Sequence, residues 1–235
     1  MTNFHVRRAK RISFNCPILM SFHRTFAPVS MIQVAQFFLA WTACWLPLAI
    51  GCTIAVKWRP WQPITTGQKL PLVASLYAIA PLILWQASKI AGKSFTDWGF
   101  TWNWQLLISI GGGFLIGAIG IGVLFAAQTT CGWVKWQLQL EKQSGQIASI
   151  VLSTLLLAFW ISGTEELIFR GFTFTQLEQD FNLGWAAAIS SLIFALLHLV
   201  WEQKETLPQL PGLWLMGMVL VLARWVDNGS LGLAW

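Results

Sequence analysis

The fold is decided by stretches such as GQIASIVLSTLLLAFWISGTEELIFRGF, residues 145–172. The part before Glu165 carries no charge, and about 20 apolar residues are enough for one helix to cross the hydrocarbon of a bilayer. Glu165, Glu166 and Arg170 then interrupt a run that is otherwise apolar. A charged side chain in mid-membrane costs about 2.5–3.5 kcal/mol on insertion scales. These three residues therefore need partners or a function.

The composition indicates a membrane protein along the whole chain. Of its 235 residues, 56% are hydrophobic and 10% are charged, whereas a soluble domain carries about 25% charged residues. Six windows contain no Asp, Glu, Lys or Arg: 25–56, 70–88, 98–134, 143–164, 181–201 and 206–223. The sequence therefore predicts an all-α, polytopic transmembrane helix bundle of about six spans, integral to the lipid bilayer.

Tryptophan and the basic residues indicate the membrane boundaries. Seven of the 16 tryptophans lie in the three connectors between the first four spans: Trp58, Trp61, Trp98, Trp102, Trp104, Trp133 and Trp136. Such positions favour an interfacial aromatic belt, although packing of these tryptophans on other loops stays open. The net charge of +6 comes from Lys and Arg beside the spans, so we read it as membrane topology and expect no nucleic-acid partner.

The chain divides into a basic N-terminal tail (1–30), N-terminal transmembrane helices (31–142) and a C-terminal core (143–235). The tail is either an organelle transit peptide, a cytoplasmic tail or a segment preceding a true start at Met31. These alternatives leave membrane orientation and organelle open. Oligomeric state is open as well, although the GxxxG pair of Gly113 and Gly117 favours helix packing within the monomer. The four cysteines lack metal-ligand spacing and are interpreted as free thiols.

The depth of Glu165 matches the depth of a histidine on the following span. The segment DFNL, residues 180–183, is the plausible turn between the two spans. At about 1.5 Å per helical residue, Glu165 and His198 each lie about 21–22 Å from this turn. In an antiparallel hairpin they are therefore at the same depth.

Helix geometry gives these residues different roles. Glu166 and Arg170 are four apart and are expected to form an ion pair, which leaves Glu165 free toward the bundle interior. A carboxylate close to an imidazole is a candidate general base acting on water. Phe194 shares a helix face with His198 and is expected to line the same pocket. Purely structural interpretations stay open as well. EELIFR is then an interfacial helix start, and His198 is a hydrogen-bonded polar residue near a helix end.

A zinc site is less favoured by the spacing. His198 and Glu202 form an HxxxE pair, but a catalytic zinc usually takes three protein ligands. We therefore expect Glu202 to mark the membrane edge. A divalent metal cofactor stays unknown, and a glutamate-activated water is favoured.

The motifs EELIFR and FALLH, residues 194–198, resemble the EExxxR and FxxxH signatures of the CPBP intramembrane proteases. This group includes the type II CAAX prenyl endopeptidases and bacteriocin-processing or immunity proteins, and the resemblance covers roughly residues 145–235. It implies an active site inside the membrane that cleaves a prenylated or membrane-associated protein or peptide substrate. By the same resemblance, Glu165 is the catalytic glutamate, Glu166 and Arg170 its supporting pair, and His198 the first essential histidine.

The C-terminus departs from the family pattern. NGSLGLAW, residues 228–235, resembles the start of a last family helix that carries an HxxxN-type motif. The expectation is a C-terminally incomplete core with little activity, since loss of an oxyanion donor typically costs about 10²–10³ in rate. The sequence thus predicts an intramembrane endopeptidase, with a non-catalytic scaffold or immunity-type protein of the same family as the alternative. A proton-coupled transporter ranks below both, because no internal repeat is apparent.

Overall fold

The computed structural model describes residues 28–59, 62, 64–135, 144–200 and 203–235. The basic tail up to residue 27, Trp61, Trp136 and Glu202 lie outside the described residues. Within the described part, every regular element is helical. The helices are α1 (Val29–Ala55), α2 (Thr66–Ala91), α3 (Trp104–Thr130), α4 (Ser144–Glu166), α5 (Phe174–Leu177), α6 (Leu183–Leu197), α7 (Gln203–Thr206) and α8 (Leu210–Val226). A π-helical segment, Leu167–Thr173, joins α4 to α5, and 3-10 turns cover Thr96–Trp98, His198–Val200 and Leu207–Gln209.

Six helical stretches of the described chain are long and apolar enough to cross a membrane. They are Val29–Ala55, Gly67–Ala91, Trp104–Thr130, Ile147–Leu177, Leu183–Val200 and Lys204–Val226. The prediction of an all-α, multi-pass membrane protein is confirmed. Most large apolar side chains of α3 and α4 are exposed, as expected of helices that lipid chains surround.

The turn between the fourth and fifth crossings lies where the sequence predicted it. Helix α5 ends at Leu177, and α6 begins at Leu183. The side chain of Asn182 caps α6 by accepting a hydrogen bond from the Trp185 amide at 3.0 Å. The two crossings therefore form the antiparallel hairpin that the depth argument required.

An acidic side chain of this turn also holds the start of α1. The Asp180 carboxylate accepts a hydrogen bond from the backbone N–H of Ser30 at 2.9 Å. This backbone hydrogen bond lowers the pKa of Asp180 below its ordinary value. The N-terminus of α1 is thus fixed beside the turn between α5 and α6.

The main hydrophobic core joins α1 and α2 to the π-helical segment. Its buried members are Phe37, Trp41, Ala80, Leu84, Trp98, Ile168, Phe169, Phe172 and Phe194. A domain boundary at residue 142 stays a prediction, but this core contains residues from both sides of it. The N-terminal helices are therefore part of the frame that positions the C-terminal core.

Trp98 corrects part of the aromatic-belt prediction. Trp102, Trp104 and Trp133 are exposed, as a belt requires, but Trp98 is 0% exposed. Its ring lies edge-on to Phe172 at a centroid distance of 5.3 Å. Trp98 is a core residue because its ring packs against Phe95 and Phe172.

One glycine of the GxxxG pair in α3 packs closely against another segment of the chain. A Cβ at Gly113 would lie 2.4 Å from the carbonyl oxygen of Leu233, whereas a Cβ at Gly117 would meet nothing within 4 Å. The Ser109 hydroxyl also donates to Asp227 at 2.8 Å. Gly113 thus lets the C-terminal segment approach α3, in agreement with the favoured packing within the monomer.

Candidate active site

The crossing that carries the acidic motif changes its helix type at that motif. Helix α4 ends at Glu166, and Leu167–Thr173 then winds as a π-helix. The wider turn of a π-helix re-aims the side chains that follow it, and such segments occur frequently at functional sites. Six of the seven residues in this segment are buried, so the altered winding directs side chains into the bundle.

Glu166 and Arg170 form the ion pair that their spacing predicted. The Arg170 Nη1 to Glu166 Oε1 distance is 3.0 Å, and the two side chains are 1% and 5% exposed. The Arg170 guanidinium also stacks over the Phe194 ring at 4.3 Å from its centroid, which is a favourable cation–π geometry. The pair thus neutralises one of the two adjacent carboxylates within the protein interior.

Glu165 points away from this pair and into a cavity. Its Oε1 accepts a hydrogen bond from the hydroxyl of Tyr77 on α2. The cavity measures about 220 Å³ and lies between α1, α2 and the C-terminal core. Its lining residues are Phe38, Trp41, Thr42, Trp45, Leu76, Tyr77, Glu165, Phe169, Leu197, His198 and Val200. Glu165 and His198 therefore open into one cavity, as their equal depth predicted.

The ring of His198 is oriented by the backbone of its own helix. Its Nδ1 lies 2.8 Å from the Phe194 carbonyl oxygen. A carbonyl oxygen can only accept, so Nδ1 carries the hydrogen in this contact. In the neutral imidazole the other nitrogen, Nε2, is then a hydrogen-bond acceptor.

Phe194 has a different position from the one expected. It is 2% exposed and is not among the residues that line the cavity. Its ring instead lies beneath the guanidinium of Arg170 and edge-on to His198 at 4.6 Å. Phe169 of the π-helical segment lines the cavity instead. A substrate-binding role for Phe194 stays a prediction, and the contacts it makes are with Arg170 and His198.

Arg224 on α8 is a buried residue of this region that sequence reasoning missed. Its guanidinium donates to the carbonyl oxygen of Arg170. It also donates to the Thr175 hydroxyl at 3.1 Å and to the Gly229 carbonyl at 3.1 Å. Arg224 directly follows the uncharged window 206–223. Its hydrogen bonds tie α8 and the C-terminal segment to the π-helical segment and α5.

The described residues do not form a zinc site. Among them, no group of three or more His, Cys, Asp or Glu side chains is placed to hold a metal ion. Glu165 and His198 offer two ligands at the cavity, one fewer than catalytic zinc usually takes from protein. Glu202, the third candidate ligand from the sequence, lies outside the described residues.

Comparison with known proteins identifies the C-terminal part of the chain. Residues 147–235 match the family model described as Type II CAAX prenyl endopeptidase Rce1-like. This region is similar to that family. The resemblance to the CPBP intramembrane proteases is thereby confirmed. Searches among curated proteins and among solved structures found no significant match.

The Rce1-like region supplies only part of the cavity. It contains Glu165, Phe169, Leu197, His198 and Val200. The remaining lining residues, including Tyr77, come from α1 and α2, which precede the matched region. The complete cavity therefore depends on both halves of the bundle.

Proposed function

We propose that this protein is an intramembrane endopeptidase that hydrolyses a peptide bond of a prenylated or otherwise membrane-associated protein. The observation that carries the proposal is the meeting of Glu165 and His198 in one cavity, next to a buried Glu166–Arg170 pair. The match of residues 147–235 to a CAAX prenyl endopeptidase family supports the reaction class.

The proposed reaction begins with a water held between the two cavity groups. Nε2 of His198 accepts a hydrogen bond from this water, and Glu165 takes its proton as general base. The water oxygen attacks the scissile carbonyl carbon. When the carbon–nitrogen bond then breaks, the protonated Glu165 returns the proton to the departing amine.

The Glu166–Arg170 pair supports Glu165 without reacting. Arg170 neutralises the nearer carboxylate, so only Glu165 presents a negative charge to the cavity. Two unpaired adjacent carboxylates would favour protonation of one of them, which would remove the base. Phe194 below the guanidinium holds the arginine in this position.

The cavity lining favours an apolar substrate segment. Phe38, Trp41, Leu76, Phe169 and Leu197 surround the two polar groups with apolar and aromatic surface. A peptide carrying a lipid group reaches such a site from the bilayer without crossing water. This chemistry and the family description together point to a prenylated C-terminus as the substrate to test first.

The test uses the purified chain in liposomes and a farnesylated peptide that ends in a CAAX sequence. Release of the C-terminal fragment is measured by mass spectrometry. We expect Glu165→Gln to lower the rate by about 10²–10⁴, the usual contribution of a general base. Glu178→Gln is the matched control, because Glu178 is an exposed glutamate outside the cavity. Its rate should equal that of the unsubstituted protein.

Equal rates for Glu165→Gln and the unsubstituted protein would contradict the mechanism. The alternative of a non-catalytic scaffold of the same family predicts a different pattern. It predicts no cleavage and a cellular phenotype that survives substitution of both Glu165 and His198.

A further inference from the structure

Tyr77, the only tyrosine of the chain, lies in the same cavity as Glu165 and His198. We propose that Tyr77 is a further catalytic residue, whose hydroxyl donates a hydrogen bond to the oxyanion that forms on the scissile carbonyl. This inference rests on the proposed endopeptidase function. It concerns a residue of α2, outside the region that matches the protease family.

The contact between Tyr77 and Glu165 fixes the direction of the hydroxyl. An ionised carboxylate can only accept, so the phenol donates its hydrogen to Glu165. The ring is held edge-on to Trp41 at a centroid distance of 6.3 Å. The hydroxyl is therefore directed at the atoms where the reaction takes place.

The other groups of the cavity cannot readily supply the oxyanion donor. Nε1 of Trp41 already donates to the Leu76 carbonyl, and Nε1 of Trp45 to the Ser75 hydroxyl, both at 3.1 Å. Nδ1 of His198 is engaged by the Phe194 carbonyl, and its Nε2 accepts from the attacking water in the proposed reaction. Among the described lining residues, this leaves the hydroxyls of Thr42 and Tyr77.

Tyr77 is the better placed of these two donors. Its hydroxyl donates directly to Glu165, the proposed base. Thr42 is an exposed residue of α1 whose side chain makes no hydrogen bond to another described side chain. A group beside the base is also beside the water that the base activates. The donor is thus next to the carbon that the water attacks.

The reaction itself frees the Tyr77 hydroxyl. As the water oxygen bonds to the carbonyl carbon, the water proton moves to Glu165 and the carbonyl electron pair moves to its oxygen. Negative charge thus leaves Glu165 and develops on the oxyanion. The hydroxyl turns from the neutral acid to the oxyanion and keeps its own proton. When the carbon–nitrogen bond breaks, Glu165 gives its proton to the amine and accepts from Tyr77 again.

The first test measures the contact without any substrate. Because the chain has one tyrosine, incorporation of 3-fluorotyrosine gives one ¹⁹F resonance for the protein in detergent micelles. We expect Glu165→Gln to shift this resonance and Glu178→Gln to leave it in place. A resonance that is unaffected by Glu165→Gln would overturn the inferred contact and the role built on it.

The second test compares hydrolysis of the farnesylated CAAX peptide by Tyr77→Phe and Thr42→Val. Tyr77→Phe removes one oxygen and keeps the ring, so thermal unfolding should match that of the unsubstituted protein. We expect kcat to fall by about 10²–10³, the usual effect of losing one oxyanion donor. KM should stay unchanged, because the bond to the oxyanion exists only in the transition state. The fall in kcat should be smaller for Thr42→Val than for Tyr77→Phe.

The outcomes separate this inference from the proposed function. An unchanged kcat in Tyr77→Phe, beside an inactive Glu165→Gln, would overturn the role of Tyr77 and leave the endopeptidase proposal standing. A larger fall in kcat for Thr42→Val than for Tyr77→Phe would also overturn the role of Tyr77, and it would assign the oxyanion donor to Thr42. Absence of cleavage by the unsubstituted protein would overturn the endopeptidase proposal, and the role of Tyr77 with it.

Discussion

Glu166 and Arg170 are buried charges that depend on each other. Each is almost fully removed from solvent, and one oxygen of Glu166 and one nitrogen of Arg170 have no hydrogen-bond partner among the described residues. Attraction within the pair and the stacking of Arg170 on Phe194 offset the cost of burying the charges. Removal of one partner would leave an uncompensated charge in the protein interior.

We therefore predict that Glu166→Gln lowers the free energy of unfolding by about 3–5 kcal/mol, the usual cost of breaking a buried pair. Activity should fall together with stability. The double variant Glu166→Leu/Arg170→Met replaces the pair by apolar groups and should recover most of the lost stability. Unfolding is measured by denaturant titration in detergent micelles. A single variant as stable as the unsubstituted protein would show that the pair is not what neutralises these charges.

The sequence was informative about residues whose partners lie on their own helix. The ion pair followed from a spacing of four, and the His198 contact with the Phe194 carbonyl also has this spacing. Tyr77 and Arg224 could not be identified in the same way. Tyr77 lies in an uncharged run and Arg224 at the end of one. Their roles depend on contacts with another helix, which no local spacing encodes.

Among the helices, α6 and α8 make a close crossing that small residues permit. A Cβ on Gly217 of α8 would lie 2.6 Å from the Cβ of Ser191 on α6. Close approach of backbones at small residues is the usual basis of helix association in membranes. Because His198 follows the last residue of α6, this crossing also positions one cavity group.

We predict that Gly217→Ala destabilises the protein by about 1–3 kcal/mol, the typical cost of overpacking. Gly212→Ala on the same helix is the control, because a Cβ at Gly212 would meet nothing within 4 Å. That variant should be as stable as the unsubstituted protein or slightly more stable, since alanine is the better helix former. Equal effects of the two substitutions in the same unfolding assay would contradict the close crossing.

The π-helical segment was not predicted from the sequence. The apolar windows gave the six crossings and the turn at residues 180–183. They carried no signal for the change of winding after Glu166, because the π-helical segment is only seven residues long and too short for its own period to appear in the apolar pattern. Phe169 of this segment lines the cavity, and Phe194 is buried outside its lining. Glu165 and His198 both line the cavity as well.

At the scale of the whole molecule, the cavity is a joint product of the N-terminal helices and the Rce1-like region. Helices α1 and α2 contribute Trp41, Thr42 and Tyr77, and the matched region contributes Glu165 and His198. The sequence predicted the bundle and the pairing of Glu165 with His198 from depth alone. It could not predict which earlier helices close the cavity, because packing between distant segments leaves no periodic pattern. The burial of Trp98 was missed for the same reason.

The central claim is that Glu165 and His198 act as one unit in this cavity. The most direct measurement is a double-mutant cycle of Glu165→Gln and His198→Gln, with kcat for the farnesylated CAAX peptide as the readout. Residues that act as a unit show strongly non-additive losses. We therefore predict that the double variant is about as slow as the slower single variant. Losses that multiply in the double variant, or a single variant that keeps the original kcat, would contradict the shared site.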